Sequence, residues 1–177
     1  MKLNRTERWM LSNQLQILSI IDPEQRDSYE QALIIVENGY ENLYSNCAQH
    51  ILADEETITY EEGKHIVDIF SMFWAIYRSL EKIEDKTEIN VNNLRFHGFD
   101  HNLETKYMNF AKFFITKYEG GRYKEISPGI DHFGDQSHAL EVYERMLDVW
   151  NNCNDKNKLT KDELIQLGIA TIHPNNR

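Results

Sequence analysis

Apolar residues recur at spacings of three and four along most of the chain, the period of helices that bury one side. From Thr6, a plausible N-cap, a first helix is predicted through Ile21, with Leu11, Leu15 and Leu18 on one stripe. Met10, Ile17 and Ile21 widen that face. Asp22-Pro23 should stop this helix and start the next, with Asp22 as cap and Pro23 at the first helical position. Tyr29, Ala32, Leu33 and Val36 form the stripe of the second helix, and Gly39 ends it where a left-handed residue is wanted. Residues 1–39 therefore read as a helical hairpin.

A short helix is expected over about Glu41 to Leu52, then an acidic connector at Asp54 to Glu56. Thr59-Tyr60-Glu61-Glu62 has the form of a capping box, in which threonine and glutamate satisfy each other's orphan amides. It should open the longest helix, over 59–83. There Ile66, Val67, Ile69, Phe70, Phe73 and Trp74, continued by Ile76, Tyr77 and Leu80, cover well over half the circumference. Asp68, Ser71, Ala75, Arg78 and Lys82 are left as a narrow outer stripe. A helix apolar on that much of its surface is covered by several neighbours.

After a polar connector, Leu94 to Phe96 reads as a short extended piece. Asp100 or Asn102 then caps a helix over 100–118, its buried face formed by Leu103, Tyr107, Phe110, Ala111 and Phe114, with Phe113 and Ile115 on its shoulders. Residues 119–135 read as a glycine-rich loop, and 136–170 as C-terminal helices. The first of these carries Leu140, Tyr143, Leu147 and Trp150 behind Asp135 or Ser137 as cap. The second opens on the capping box Thr160 to Glu163. His173 to Arg177 reads as a frayed tail. The expected fold is all-α, a single compact multi-helix domain over 1–177 with a long buried central helix and a Gly-rich loop.

Composition adds little to that picture, but charge changes it. The formal net charge is -10, and Asp22 to Glu62 holds eleven acidic residues against Arg26 alone. Lys106, Lys112, Lys117, Arg122 and Lys124 face only Glu119 in the later stretch. Such an acidic chain makes binding to nucleic acid unlikely outside that Lys106 to Lys124 patch. The separated charges also suit contact between neighbouring subunits. The start, MKLNRTERWML, lacks an unbroken apolar segment and does not read as a secretory signal. No run approaches a membrane span. Cys47 and Cys153 lack CxxC spacing and read as reduced thiols, so a cytoplasmic setting without membrane contact is expected.

The candidate chemistry gathers in Leu94 to Tyr123. Glu104 falls inside the apolar arc of its helix, where an unpaired carboxylate is costly. Arg95 and Arg122 are candidate partners, and Arg95, Asp100, Glu104, Arg122 and Tyr123 together could form a small polar binding pocket. The bland alternative is a first-turn glutamate favoured by the helix dipole. His97, Asp100, His101 and Glu104 have spacings that could suit a metal only if all lay on the helix, and His132 and His138 add little. No metal or cofactor is expected. Gly120-Gly121-Arg122-Tyr123 lacks the phosphate-loop pattern, and no catalytic motif is present.

The residues also carry a resemblance. Leu11-Ser12-Asn13-Gln14, Asp22-Pro23, Glu37-Asn38-Gly39-Tyr40 and Phe96-x-Gly98-Phe99-Asp100 with Glu104 and Tyr107 are similar to the bacterial YfbU family. So are Gly121-Arg122-Tyr123 and Tyr143-x-x-Met146-Leu147-x-x-Trp150. The resemblance implies a helical fold, a cytosolic setting and self-association, and brings no catalytic residues. The expected function is that of a homo-oligomeric macromolecular-interaction or regulatory protein with a possible protein partner. The alternatives are an enzyme or small-molecule sensor using Glu104 and Arg122, and a weak nucleic-acid binder.

Overall fold

Asn4, and not Thr6, caps the first helix. Its side-chain oxygen accepts the Glu7 N–H at 3.0 Å, while the Glu7 carboxylate accepts the Asn4 N–H at 2.7 Å. Thr6 is followed three residues on by Trp9 and has no glutamate to complete such a box. The helix, α1, runs Arg5–Ile21. Pro23 then opens a single 3-10 turn, and α2 spans Arg26–Asn38. Gly39 ends α2 at φ 70°, and a Cβ there would stand 2.7 Å from the Arg8 guanidinium. The left-handed backbone favours glycine, whereas the flexible end of Arg8 could move aside for a Cβ. Beyond it, α3 is one turn, Tyr44–Cys47, shorter than the helix expected to Leu52.

The computed structural model describes residues 1–53, 56–119, 121–126, 134–135 and 139–176. The chain packs as two units, Met1–Glu55 and Glu56–Arg177. Asp54 and Glu55 of the acidic connector lie outside the described residues, as do Gly120, Pro128 and Gly129 of the glycine-rich loop, the cap candidate Ser137, His132, His138 and Arg177.

In the first unit the hairpin forms as expected, yet its core is thin. Ile35, Val36 and Tyr44 are its buried apolar residues among those described, joined by Ser12. On α1 the predicted widening of the apolar face fails. Met10 is 50% exposed, Ile17 55%, Ile20 74%, Ile21 71% and Trp9 66%. Leu11 and Leu15 are only half-buried, and Leu18 is exposed. The wheel located an apolar arc correctly, but α2 covers just one edge of it.

The second unit is built around α4, Tyr60–Leu80. Its capping box is present: Thr59 Oγ1 accepts the Glu62 N–H, and Glu62 Oε2 accepts the Thr59 N–H at 2.9 Å. Ile66, Ile69, Phe70, Met72, Phe73 and Ile76 are essentially inaccessible. Ala75 and Ser79 are buried too, so the expected outer stripe is narrower than its wheel implied. Ser79 shows why: its hydroxyl accepts the Leu159 N–H at 2.9 Å, drawing the chain between the last two helices against that side. Those helices are α6, Ala139–Asn151, and α7, Lys161–Ala170, the latter opened by the Thr160–Glu163 box.

Between α4 and α6 the chain departs from expectation in three places. Val91–Leu94 forms a 3-10 turn and the extended residues are Phe99–Asp100, β1, paired in parallel with β2, Gly134–Asp135. Gly98, at φ 95°, turns the chain between them. The next helix, α5, is Thr105–Phe113 and continues as a wider π turn over Phe114–Tyr118. Leu103, expected in the core, is exposed; it lies in the turn before α5, with its N–H on Asp100 Oδ1. Beyond α7, outside that region, Pro174–Asn176 form a 3-10 turn in the expected tail. Three aromatic pairs of α4, α6 and the segment between them meet edge-on: Phe70–Phe96 at 5.5 Å, Phe73–Tyr143 at 5.1 Å and Phe96–Phe99 at 5.6 Å between ring centroids.

Candidate functional site

Glu104 is buried, as its place on the apolar arc implied. Its partners are backbone amides. Oε2 accepts the Asp100 N–H at 2.8 Å, and Oε1 accepts the Leu140 N–H at 3.0 Å. Leu140 lies in the first turn of α6, where backbone donors have no intrahelical acceptor and the dipole favours negative charge. Glu104 thus caps a helix 36 residues further along the chain and holds the end of β1 with the same carboxylate. Asp100 does not cap α5. Its Oδ1 accepts the N–H groups of Asn102 and Leu103 at 2.8 and 3.0 Å, which closes the turn before the helix. Tyr143 completes the frame from α6, its hydroxyl donating to Gly98 O at 2.8 Å and accepting from His97 N at 3.0 Å.

The two arginines are placed elsewhere. Arg122 is exposed and lies over the Tyr123 ring at 5.2 Å. Tyr123 itself is buried beside Phe70 and Phe114. Arg95 is exposed and lines two cavities of the second unit. Among the described residues neither arginine forms an ion pair with Glu104. The structure therefore brings Asp100 and Glu104 together and leaves Arg95, Arg122 and Tyr123 in separate settings. His97 Nε2 lies 3.2 Å from Asn92 O, and His101 is exposed. Among the described residues no three His, Cys, Asp or Glu side chains converge as a metal set would.

The basic stretch is partly spent inside the fold. Lys106 Nζ lies 2.6 Å from Glu62 Oε1, and Tyr107 donates its hydroxyl to the same oxygen at 3.0 Å. One glutamate thereby closes the α4 cap and ties α5 to α4. Lys106 first, and then the Thr59 amide, hold the Glu62 carboxyl down to about 2. The glutamate in turn raises the Lys106 ammonium above its ordinary range.

Among the described residues, two surfaces stand out as open to ligands or partners. In the second unit, a cavity of about 320 Å³ has Phe73, Leu80, Leu94 and Phe96 in its floor and Arg95 on its rim. Sequence reasoning picked out Arg95 but not the cavity, whose lining comes from segments far apart in the chain. In the first unit, α1 presents Met10, Ile17 and Ile20 at heptad-like spacing, flanked by Trp9 and Ile21. Of these, Met10, Ile17 and Ile21 are expected from the sequence on the core side of the helix, whereas Ile20 and Trp9 carry no such expectation. No described helix is long and apolar enough to cross a membrane.

A family model described as the YfbU domain matches residues 1–170.

Proposed function

The chain belongs to the YfbU family, and from that premise we propose that it works as a self-associating interaction protein in which α1 pairs antiparallel with α1 of a second copy. One observation carries the reading: five large apolar side chains lie bare on a helix whose only buried residue is Ser12. Monomeric proteins rarely leave such a patch uncovered.

Three features favour a second copy as the occupant. Thr6, Met10, Asn13, Ile17 and Ile20 follow a three-four alternation, the spacing of a two-helix seam. An antiparallel register lays Met10 over the partner copy's Ile20 and Asn13 over its Ile17. The same register brings the basic end of the helix, with Lys2 and Arg5, towards the acidic end marked by Asp22, Glu24 and Asp27. The bare side chains amount to roughly several hundred Å² on each copy, approaching the ~800 Å² per partner of a stable interface. The reading of Glu104 and Arg122 as an enzyme or sensor pocket has less to stand on, since both carboxylate oxygens already accept backbone amides.

Sedimentation equilibrium at about 50 µM tests it, a concentration at which a micromolar dimer is largely formed. The wild-type chain is expected to sediment as a dimer, and I17E/I20E as a monomer with unchanged circular dichroism. The M10C/I20C variant should then yield a disulfide-linked dimer on oxidation. A monomeric wild type, or a dimer that survives I17E/I20E, overturns the proposal.

A further inference from the structure

The cavity of the second unit has an apolar floor and a charged rim, with Arg95 and Lys86 beside Glu81 and Glu125. Phe73, Leu94 and Phe96 are buried and fixed by core packing, so the floor is preformed. Its volume of about 320 Å³ is at the small end of ligand sites. On the rim, Glu81 is already answered, accepting from the Tyr77 hydroxyl and from Arg78 Nη1, each at 3.1 Å. Arg95 and Lys86 are exposed and make no ion pair among the described residues. Glu125 is the other carboxylate of the lining, and the wall behind these charges is apolar.

We propose that this cavity binds a small organic monocarboxylate, its carboxylate on Arg95 and its apolar body over Phe73, Leu80 and Phe96. A guanidinium matches a carboxylate in a planar, two-bonded geometry that an ammonium cannot reproduce. Lys86 adds charge on the same rim. Glu81 and Glu125, which also line the cavity, disfavour a second negative charge and so discriminate against phosphates and dicarboxylates. Desolvation of the apolar body supplies the rest of the affinity. Arg95 also borders a smaller cavity beside His97 and Tyr143, which leaves its side chain room to swing towards a ligand. The site is independent of α1 self-association.

The probe is 3-phenylpropionate, titrated into the full chain and followed by nitrogen-15 amide shifts. Saturable binding is expected at millimolar or lower concentration, with the largest shifts at Leu94 to Phe96 and at Ile126. The uncharged 3-phenylpropanamide should bind at least about tenfold more weakly, and R95A should lose about tenfold in affinity. R95K should fall between, because it keeps the charge and loses the planar fork. Arg95 is exposed, so its variants are expected to keep the wild-type melting temperature. Equal affinity for acid and amide, preference for 3-phenylpropylamine, unchanged binding by R95A, or no saturation overturns the proposal.

Discussion

Helices α1 and α4 are begun by the same device and end in opposite environments. Each opens on a reciprocal capping box, Asn4 with Glu7 and Thr59 with Glu62, and each carries large aliphatic and aromatic residues through its length. Around α4, a frame from β1 through α7 buries eight of its residues. On α1 the described chain buries Ser12 alone. Local signals thus make a helix in both places, while burial depends on what distant segments bring to each face. An apolar arc that the described residues of its own unit do not cover is the part of the surface where a partner gains most.

The sharpest way to break that comparison is to cut the same kind of side chain from both helices. Phe73→Ala removes a ring packed against Phe96 and Tyr143 and should cost about 3–5 kcal/mol in urea denaturation. Ile17→Ser, measured at sub-micromolar protein where copies are apart, should change stability by no more than about 0.5 kcal/mol. A comparable loss from both would mean that α1 is buried within one copy after all.

Glu104 comes next in size. In Glu104→Gln one oxygen can still accept an amide, while the new NH2 group faces the other donor. A loss of about 1–3 kcal/mol is expected from leaving a buried donor unsatisfied. Arg122→Ala should cost under about 1 kcal/mol, the worth of an exposed cation over a ring. The double variant should be additive within about 0.5 kcal/mol, because no described contact joins the two residues. Strong coupling in that thermal-melt cycle would restore the arginine as the partner of Glu104.

How much of this was legible follows the range of each interaction. The boxes at Thr59 and Thr160, the left-handed Gly39 and the stripe of Tyr143, Leu147 and Trp150 are all settled within a few residues, and the sequence reading found them. Asn4 carries a local signal too, Glu7 three residues on, although Thr6 is the cap named from the sequence. Glu104 shows the limit clearly. Its burial could be read from its position on the wheel, whereas its acceptor role for Leu140 depends on where α6 docks. Ala75 fails for the same reason, since its side of the helix is covered where Ser79 accepts from Leu159, 80 residues away. The cavity beside Arg95 has no local signal at all.

The smallest effect concerns pH and again sets the two helices apart. Glu62 is held down to about 2 from its ordinary 4.5, chiefly by Lys106, whereas no basic side chain makes an ion pair with Glu7 in the matching position of α1. A carboxyl whose pKa is lower in the folded state contributes stability above its unfolded value and loses it as pH falls through the folded one. The Glu62 contribution should therefore be complete above about pH 5 and fade progressively towards about pH 2. Lys106→Met removes the main cause of the depression, so the stability difference between wild type and variant should shrink across that window. The pair is partly exposed, at 36% and 27% for the two side chains, and screening by water and salt keeps the whole effect small. Urea denaturation at pH 6, 4 and 2.5 in low salt would show it. A difference that stayed constant with pH would assign the role of Lys106 to its packing over the Tyr107 ring, 5.2 Å away, and not to its charge.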